Sequence, residues 1–254
     1  MVEFFNSKET DFHSYTASKM YKVPVVKSKK DSNGNILREG INEHLRQRGK
    51  ILNFLIPYGG GEFKLSENYS IPIKEAESFI KTYYSVYNGL ELYFKRRHDH
   101  AKKHGYIITN RYSKRRIYIK HYEEYIELER YIERYKLSGW SKEIPKKVWS
   151  RFFTLKGEIE RDSQNYPIQS AGADMTKLAG CLFREWAIAN KIDANIVLLV
   201  HDEIIVECVD NEKILKKTKK ALQFFMEEAG NFILPNKLVK IVASPIVAEY
   251  WAHD

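Results

Sequence analysis

Residues 194–210 read ANIVLLVHDEIIVECVD, two apolar arms at 197–200 and 204–206 enclosing His201-Asp202-Glu203. Arms of this kind need burial, and a carboxylate pair between them is costly to bury unless something positive meets it. Their length and tight junction predict a β-hairpin with its acids at the tip. The continuous apolar character of both arms predicts that the hairpin is central and covered. Successive strand residues point to opposite faces, so Asp202 and Glu203 need not share a ligand. An ordinary acidic turn would also place Asp there. A covered tip would seek a cation instead, and either Mg²⁺ or an arginine would serve.

The rest of the chain places helices around this hairpin. Residues 11–21 predict a short helix, 27–40 a polar loop, and 41–58 a helix stopped by Gly59-Gly60-Gly61. Residues 71–104 read as one long helix or two, and 105–120 as a hairpin about a turn at 110–113. Tyr122, Tyr125, Tyr131, Ile132 and Tyr135 recur near helical spacing, which predicts an amphipathic surface helix over 121–136. Pro167 reads as a helix start leading to about Ala189. After the hairpin come a helix over 211–229 and a last strand near 238–247. Helices and strands without regular βαβ alternation make the fold class α+β.

Of 254 residues, 42 are Lys or Arg and 33 are Asp or Glu, a net charge of +9 that favours a polyanionic partner. The cations cluster at Lys95, Arg96, Arg97, Lys102 and Lys103, and again at Arg111, Lys114, Arg115 and Arg116. Two cysteines, Cys181 and Cys208, both in apolar settings, give no disulfide framework and point to a reducing compartment. No apolar run approaches the roughly 18 residues of a membrane span. The opening MVEFFNSKET is no signal peptide, so a cytoplasmic protein without a membrane partner is expected.

Within 41–58, Arg46, Lys50, Phe54 and Tyr58 recur every fourth residue. Each step advances about 400°, so the four form one slowly spiralling stripe. Ile41, Leu45, Leu52 and Ile56 fall opposite. One face is therefore expected to be buried, and the other to offer two cations followed by two rings. Arg46 to Phe54 covers about 12 Å of axis, which suits a ligand with phosphates at one end and a flat base at the other. Arg forks phosphate oxygens, Lys supplies a point charge or a proton, and the ring offers a stacking face. A basic amphipathic helix with two core aromatics is the plainer alternative. Arg161, Asn165 and Gln169 are also four apart, and such side chains could touch a sugar–phosphate backbone or base edges.

In this order the segments resemble the family A DNA polymerases, the bacterial DNA polymerase I type. "VHDE" is similar to the family's motif C, and R-x-x-x-K-x-x-x-F-x-x-x-Y-G, here 46–59, to its fingers-helix motif B. R-x-x-x-N-x-P-x-Q, at 161–169, matches the palm segment that follows. "DFHSYTASKMY" resembles the D-x-H segment, and "GYIITNRYSKRR" the G-Y-x-x-T stretch before an arginine cluster. The resemblance covers nearly the whole chain apart from 121–155. It implies an incomplete palm, an antiparallel hairpin sheet with helices, plus a helical fingers subdomain. The parts would be 1–26 (palm-connecting helix), 27–104 (fingers), 105–165 (hairpin and family-atypical insertion) and 166–254 (palm with the metal-binding hairpin).

The resemblance further implies roles. Asp202 would be a ligand of two catalytic Mg²⁺ ions, with Glu203 a supporting carboxylate. Lys50 would contact the triphosphate and protonate the leaving pyrophosphate. His13 and Arg46 would grip the phosphates, Phe54 would pack against the incoming sugar and base, and Tyr58 would shape the pocket. Arg161, Asn165, Gln169 and His201 would touch primer–template DNA, as would Arg115 and Arg116. Phe54 implies discrimination against dideoxynucleotides.

The family's pattern also carries a second metal-binding Asp, in motif A, just before the D-x-H segment. No D-Y-S-Q-x-E-like stretch occurs here, and Glu3, Glu9 and Asp11 do not occupy the matching place. The isolated chain is therefore expected to polymerise poorly, as one half of a split polymerase completed by a complementary polypeptide, as a truncation, or as a non-catalytic DNA-binding remnant. Leu55 stands where a glycine is usual, and Pro57 in the helix's last turn is expected to disturb Tyr58. A rival reading uses His98, His100 and His104 with a carboxylate as a metal hydrolase, although no H-E-x-x-H arrangement is present.

Overall fold

The computed structural model describes residues 2–6, 11–30, 35–234 and 238–251. In chain order the elements are α1 (Val2–Asn6), α2 (Phe12–Tyr21), β1 (Lys29–Lys30), β2 (Ile36–Arg38), α3 (Glu43–Leu55), α4 (Glu62–Tyr69), α5 (Ile73–Val86) and α6 (Asn88–His104). They continue with β3 (Tyr106–Ile108), β4 (Arg116–Tyr118), α7 (Tyr122–Leu137), α8 (Lys146–Ala189), β5 (Ala194–Val200), β6 (Glu203–Cys208) and α9 (Glu212–Ile233). The strands form three antiparallel two-stranded sheets, β1–β2, β3–β4 and β5–β6, so the class is α+β as expected. Among the described residues, the chain divides into two compact units. One takes the chain from Asp11 to Ile108 together with Arg116–Tyr166; the other takes Val2–Asn6, Thr109–Arg115 and the chain from Pro167 onward.

The first unit is built on α2 against α3. Asp11 caps α2 by accepting from the Ser14 backbone N–H at 2.9 Å, which satisfies a donor that a helix start leaves unpaired. Leu52, Leu55 and Ile56 on one side of α3 enter a core with Met20, Leu65, Tyr83 and Phe94. Full burial of a side chain such as Leu52 contributes about 1.5–3 kcal/mol. Close approach of the two helices depends on Gly49, where an added Cβ would lie 2.3 Å from the His13 carbonyl oxygen. A second core joins Ala101, Ile107, Tyr125, Leu155 and Ile159. Tyr125 and Ile132 are buried while the rest of α7 stays largely open, the amphipathic helix that its spacing predicts.

The second unit's core joins Ala179 and Phe183 of α8, Ala194 and Ile204 of the hairpin, and Ala221, Leu222 and Ala229 of α9. Asn211 caps α9, its Oδ1 accepting from the backbone N–H groups of Lys213 and Ile214 at 3.1 and 3.2 Å.

Several expectations from the sequence are corrected. The 27–40 segment is not wholly loop, since Lys29–Lys30 pairs with Ile36–Arg38; residues 31–34 lie outside the described part. Ile41 is 51% exposed and precedes α3, bridging to Val26 instead of joining the buried stripe. Pro167 does not start a helix but sits inside α8. Proline removes one helical hydrogen bond at about 3 kcal/mol or more, and packing outweighs that here. Leu155, Ile159 and Ser163 are buried at four-residue spacing before it, and Thr176, Ala179, Phe183 and Ala187 form a second buried row after it. The strand expected near 238–247 is absent among residues 238–251, which form no regular element. Cys181, read as lying in an apolar setting, is exposed, and Cys208 is half-buried.

The hairpin itself forms as expected but is not covered. Ile196 and Val206 pack toward the core, whereas Val197 is 53% and Leu198 is 43% exposed. The register shifts between Ile196 and Leu198, so Val197 is the extra residue of a bulge. One face of the pair meets helices and the other is open.

Candidate functional site

On α3 the predicted stripe is present, and neighbouring side chains hold it. Arg46 donates from Nε to Asp11 Oδ2 at 2.7 Å and from Nη2 to Asp11 Oδ1 at 2.9 Å, a two-pronged charge-assisted pair. The same carboxylate accepts from Ser14 Oγ at 2.7 Å. Burial by itself raises the Asp11 pKa, but the hydrogen bonds from Arg46 and Ser14 and the Arg46 charge outweigh it and hold the group well below the usual carboxylate range. One residue thus caps α2 and aims the Arg46 guanidinium. Of the carboxylates at 3, 9 and 11, only that of Asp11 has a described side chain.

His13 is fixed in a similar way. Asn53 Nδ2 lies 3.1 Å from His13 Nδ1 and donates toward it, and Thr16 Oγ1 lies 3.0 Å from both Asn53 Oδ1 and the Phe12 carbonyl oxygen. With Nδ1 accepting, neutral His13 carries its proton on Nε2, where it can be donated to an anion. Its pKa is lowered by burial first. The Asp11 charge raises it, while Arg46 and Lys50 lower it again. The Tyr87 hydroxyl, 2.7 Å from Thr16 Oγ1, extends this chain of contacts into the core.

Lys50 is exposed on the same face. The Phe54 ring lies 5.8 Å from His13 and 6.5 Å from Tyr58, and the two aromatics are 50% and 47% exposed. They do not enter the core, which removes the plainer amphipathic alternative. Pro57 falls after α3 ends at Leu55, not in its last turn, and Tyr58 still donates its backbone N–H to the Phe54 carbonyl at 3.1 Å. Gly59 follows at φ 74°, and an added Cβ there would lie 2.6 Å from Arg161 Cγ. A glycine is needed for both reasons, and it lets the end of the stripe approach Arg161. The first unit therefore brings together His13, Arg46, Lys50, Phe54 and Tyr58.

In the second unit Val200 pairs with Glu203, leaving His201 and Asp202 as the turn. His201 holds φ 50°, a conformation that glycine adopts more easily. Its carbonyl accepts from Thr176 Oγ1 of α8 at 3.3 Å, which ties the turn down. Asp202 is exposed, and Glu203 is half-buried and accepts from Trp251 Nε1 at 3.3 Å. No group of three or more His, Cys, Asp or Glu able to hold a metal occurs among the described residues. The two adjacent carboxylates are hard oxygen donors that fit part of a Mg²⁺ site.

Arg161 and Gln169 are exposed along α8, and Asn165 is half-buried; Pro167 and the unit boundary fall between Asn165 and Gln169. Arg116 lies over the Tyr106 ring at 4.7 Å, whereas Arg115 is paired with Asp174. The three histidines of 98–104 do not converge. His98 Nε2 meets Gln164 Nε2 at 2.9 Å, and the His100 ring lies tilted against His104 with centroids 4.6 Å apart. Reading the sequence missed Asn53 and Asp174 and the pairing of Asp11 with Arg46, contacts that span 35 to 64 residues. No described helix is long and apolar enough to cross a membrane.

The α+β arrangement is similar in fold to a solved polymerase domain. The POL domain of Pol1 from M. smegmatis, in complex with DNA primer-template and dNTP, matches with a TM-score of 0.65 and 24% identity over 90% of this chain and 32% of that one. The DNA polymerase I of Aquifex aeolicus (strain VF5) is 31% identical over all of this chain and 36% of its own length. That of Streptococcus pneumoniae (strain ATCC BAA-255 / R6) is 30% identical over 78% of this chain and 19% of its own. The chain thus spans well under half the length of these curated relatives. The profile of DNA polymerase family A matches residues 1–253, and the chain belongs to that family.

Proposed function

We propose that the chain carries the nucleotide-handling and metal-binding parts of a template-directed DNA polymerase, which transfers a nucleotidyl group from a dNTP to a primer 3′-hydroxyl. The observation that carries this reading is the prearranged α3 face, with Arg46 aimed by Asp11 and His13 set as an Nε2 donor by Asn53. Phosphoryl transfer depends mostly on positioning and charge neutralisation, and this face provides both. The Arg46 fork and His13 Nε2–H hold the outer phosphates. Lys50 Nζ gives its proton to the departing pyrophosphate oxygen. Phe54 packs on the incoming sugar and base and disfavours a dideoxynucleotide, while Tyr58 borders the pocket. Arg161, Asn165, Gln169, His201 and Arg116 contact the primer–template.

Asp202 and Glu203 would hold Mg²⁺, which when bound supplies charge stabilisation and acidifies a coordinated hydroxyl. These two carboxylates do not satisfy two ions alone. A further strand along an open edge of β5–β6 would bring another carboxylate beside the turn, from elsewhere in the same polypeptide or from a complementary one. The alternative, a non-catalytic DNA-binding module, is favoured by one observation, the lack of any three-ligand cluster among the described residues.

Primer extension with a labelled primer–template distinguishes these readings. The chain is assayed alone and together with a polypeptide carrying a D-Y-S-Q-type strand. Incorporation that disappears in Asp202→Ala, and that falls far more than DNA affinity in Lys50→Ala, supports the polymerase. DNA binding indifferent to Asp202→Ala and to Mg²⁺, with no incorporation in any mixture, supports the binding module.

A further inference from the structure

The turn that joins β3 to β4 is held by a side chain about sixty residues further along the chain. Asp174 of α8, with its side chain only 12% exposed, accepts from Asn110 Nδ2, from Ser113 Oγ at 2.8 Å and from Arg115 Nη2. Inside the turn, Asn110 Oδ1 accepts from the backbone N–H groups of Tyr112 and Ser113, both at 2.9 Å. Thr109 Oγ1 and Ser113 Oγ are 3.0 Å apart, and the Tyr112 ring lies against Phe232 with centroids 4.5 Å apart. Lys114 sits at φ 47°, a backbone state that a lysine holds only when its surroundings fix it. Arg111 and Lys114 are exposed and make no ion pair among the described residues.

We infer that Arg115 is a strut and not a phosphate contact, and that Asp174, acting through it, is the positioning residue that presents Arg111 and Lys114 to a nucleic-acid backbone. A phosphate that took the Arg115 guanidinium would leave a largely buried carboxylate unpaired and facing another anion, which is strongly unfavourable. Arg111 and Lys114 can neutralise phosphate without disturbing any internal pair. The nucleic-acid ligand rests on the polymerase reading above; the strut rests only on the contacts of the turn.

The inference is tested with Asp174→Asn, Arg115→Gln, their combination, and Arg115→Lys as the conservative variant. Two readouts are taken: affinity for a primer–template duplex across a salt series, and amide hydrogen exchange of residues 110–115 without DNA. As a strut, each single loss weakens DNA binding roughly tenfold and lowers the salt slope by about two, because two phosphate contacts go together. The double variant adds nothing to either single one, Arg115→Lys stays near the parent, and Tyr112 and Ser113 exchange about tenfold faster whenever the pair is broken.

The inference is overturned if Asp174→Asn tightens DNA binding. It is equally overturned if the two losses add and Arg115→Gln lowers the slope by only about one, the signature of a direct phosphate contact. If the parent protein binds no duplex, the polymerase reading and the presentation to DNA both fail, and exchange alone judges the strut. Unchanged exchange in Asp174→Asn would then remove the strut as well.

Discussion

The α3 face and the β5–β6 tip carry opposite charge, and the protein treats them differently. Arg46 and His13 are each tied to a partner from another element or from deeper in the core, and Gly49 brings α3 against the α2 backbone. At the hairpin tip, Asp202 is exposed, the turn residue before it is in a strained conformation, and one face of the arms is open. The cationic face is organised by the protein's own anion, Asp11. At the tip, Glu203 accepts from Trp251 Nε1, and Asp202 makes no ion pair among the described residues. Order built in beforehand lowers the cost of binding a ligand; on the proposed reading, that order serves phosphates at the α3 face, while the tip depends on the ion that arrives.

Substitutions can break or sharpen that contrast. The largest effect is expected from Gly49→Ala. Alanine gains roughly 1 kcal/mol of helix propensity over glycine, but the overlap with the His13 carbonyl should cost on the order of 3 kcal/mol or more. Urea denaturation should therefore show a strongly reduced midpoint; a gain in stability would mean that α2 and α3 are not in close contact.

Asp11→Asn comes next. Asparagine can still cap α2, so the loss isolates the pair with Arg46 and should amount to about 1–2 kcal/mol at neutral pH. The pH dependence has a definite sign. The folded Asp11 pKa lies below its ordinary value of 3.8, so its contribution is complete above that value and is lost as pH falls through the folded pKa. Acid titration of stability should accordingly be steeper below pH 4 in the parent than in Asp11→Asn. Parallel curves would show that the pair is not formed in solution.

A smaller change of opposite sign is expected at the tip. His201→Gly should relieve the positive φ and stabilise by about 0.5–1 kcal/mol, less the entropy that glycine loses on folding. A destabilised variant would mean that contacts of the imidazole outweigh the backbone strain. Smallest of all, Asp202→Asn should alter stability by no more than about 0.5 kcal/mol. A loss like that of Asp11→Asn would reveal a protein cation at the tip and erase the contrast.

Local signals made much of this legible. Periodicity located α3 and α7, alternation about a turn located β3–β4, and two apolar arms meeting at His201-Asp202 located β5–β6. The four-residue spacing of Arg46, Lys50 and Phe54 placed them on one open face because a helix fixes that geometry by itself. Non-local packing decided the rest. α4, only eight residues long, gave too few turns to show a period. α8 runs through Pro167 because buried rows on both sides of it outweigh one lost hydrogen bond. The apolar arms of the hairpin suggested a covered sheet, but burial depends on which elements lie nearby, and helices meet only one face. The partners that aim Arg46, His13 and Arg115 are 35 to 59 residues distant, beyond any spacing rule.

The proposed function assigns nucleotide binding to the α3 face and Mg²⁺ binding to Asp202, and it is tested through the effect of each on dNTP affinity. Equilibrium binding of the next correct dNTP to the protein on a primer–template, measured with and without Mg²⁺, tests it in the parent, Asp202→Asn and Lys50→Ala. Mg²⁺ should tighten dNTP binding by roughly tenfold in the parent, Asp202→Asn should abolish that gain, and Lys50→Ala should weaken binding under both conditions. A Mg²⁺ gain of equal size in the parent and in Asp202→Asn would contradict the account.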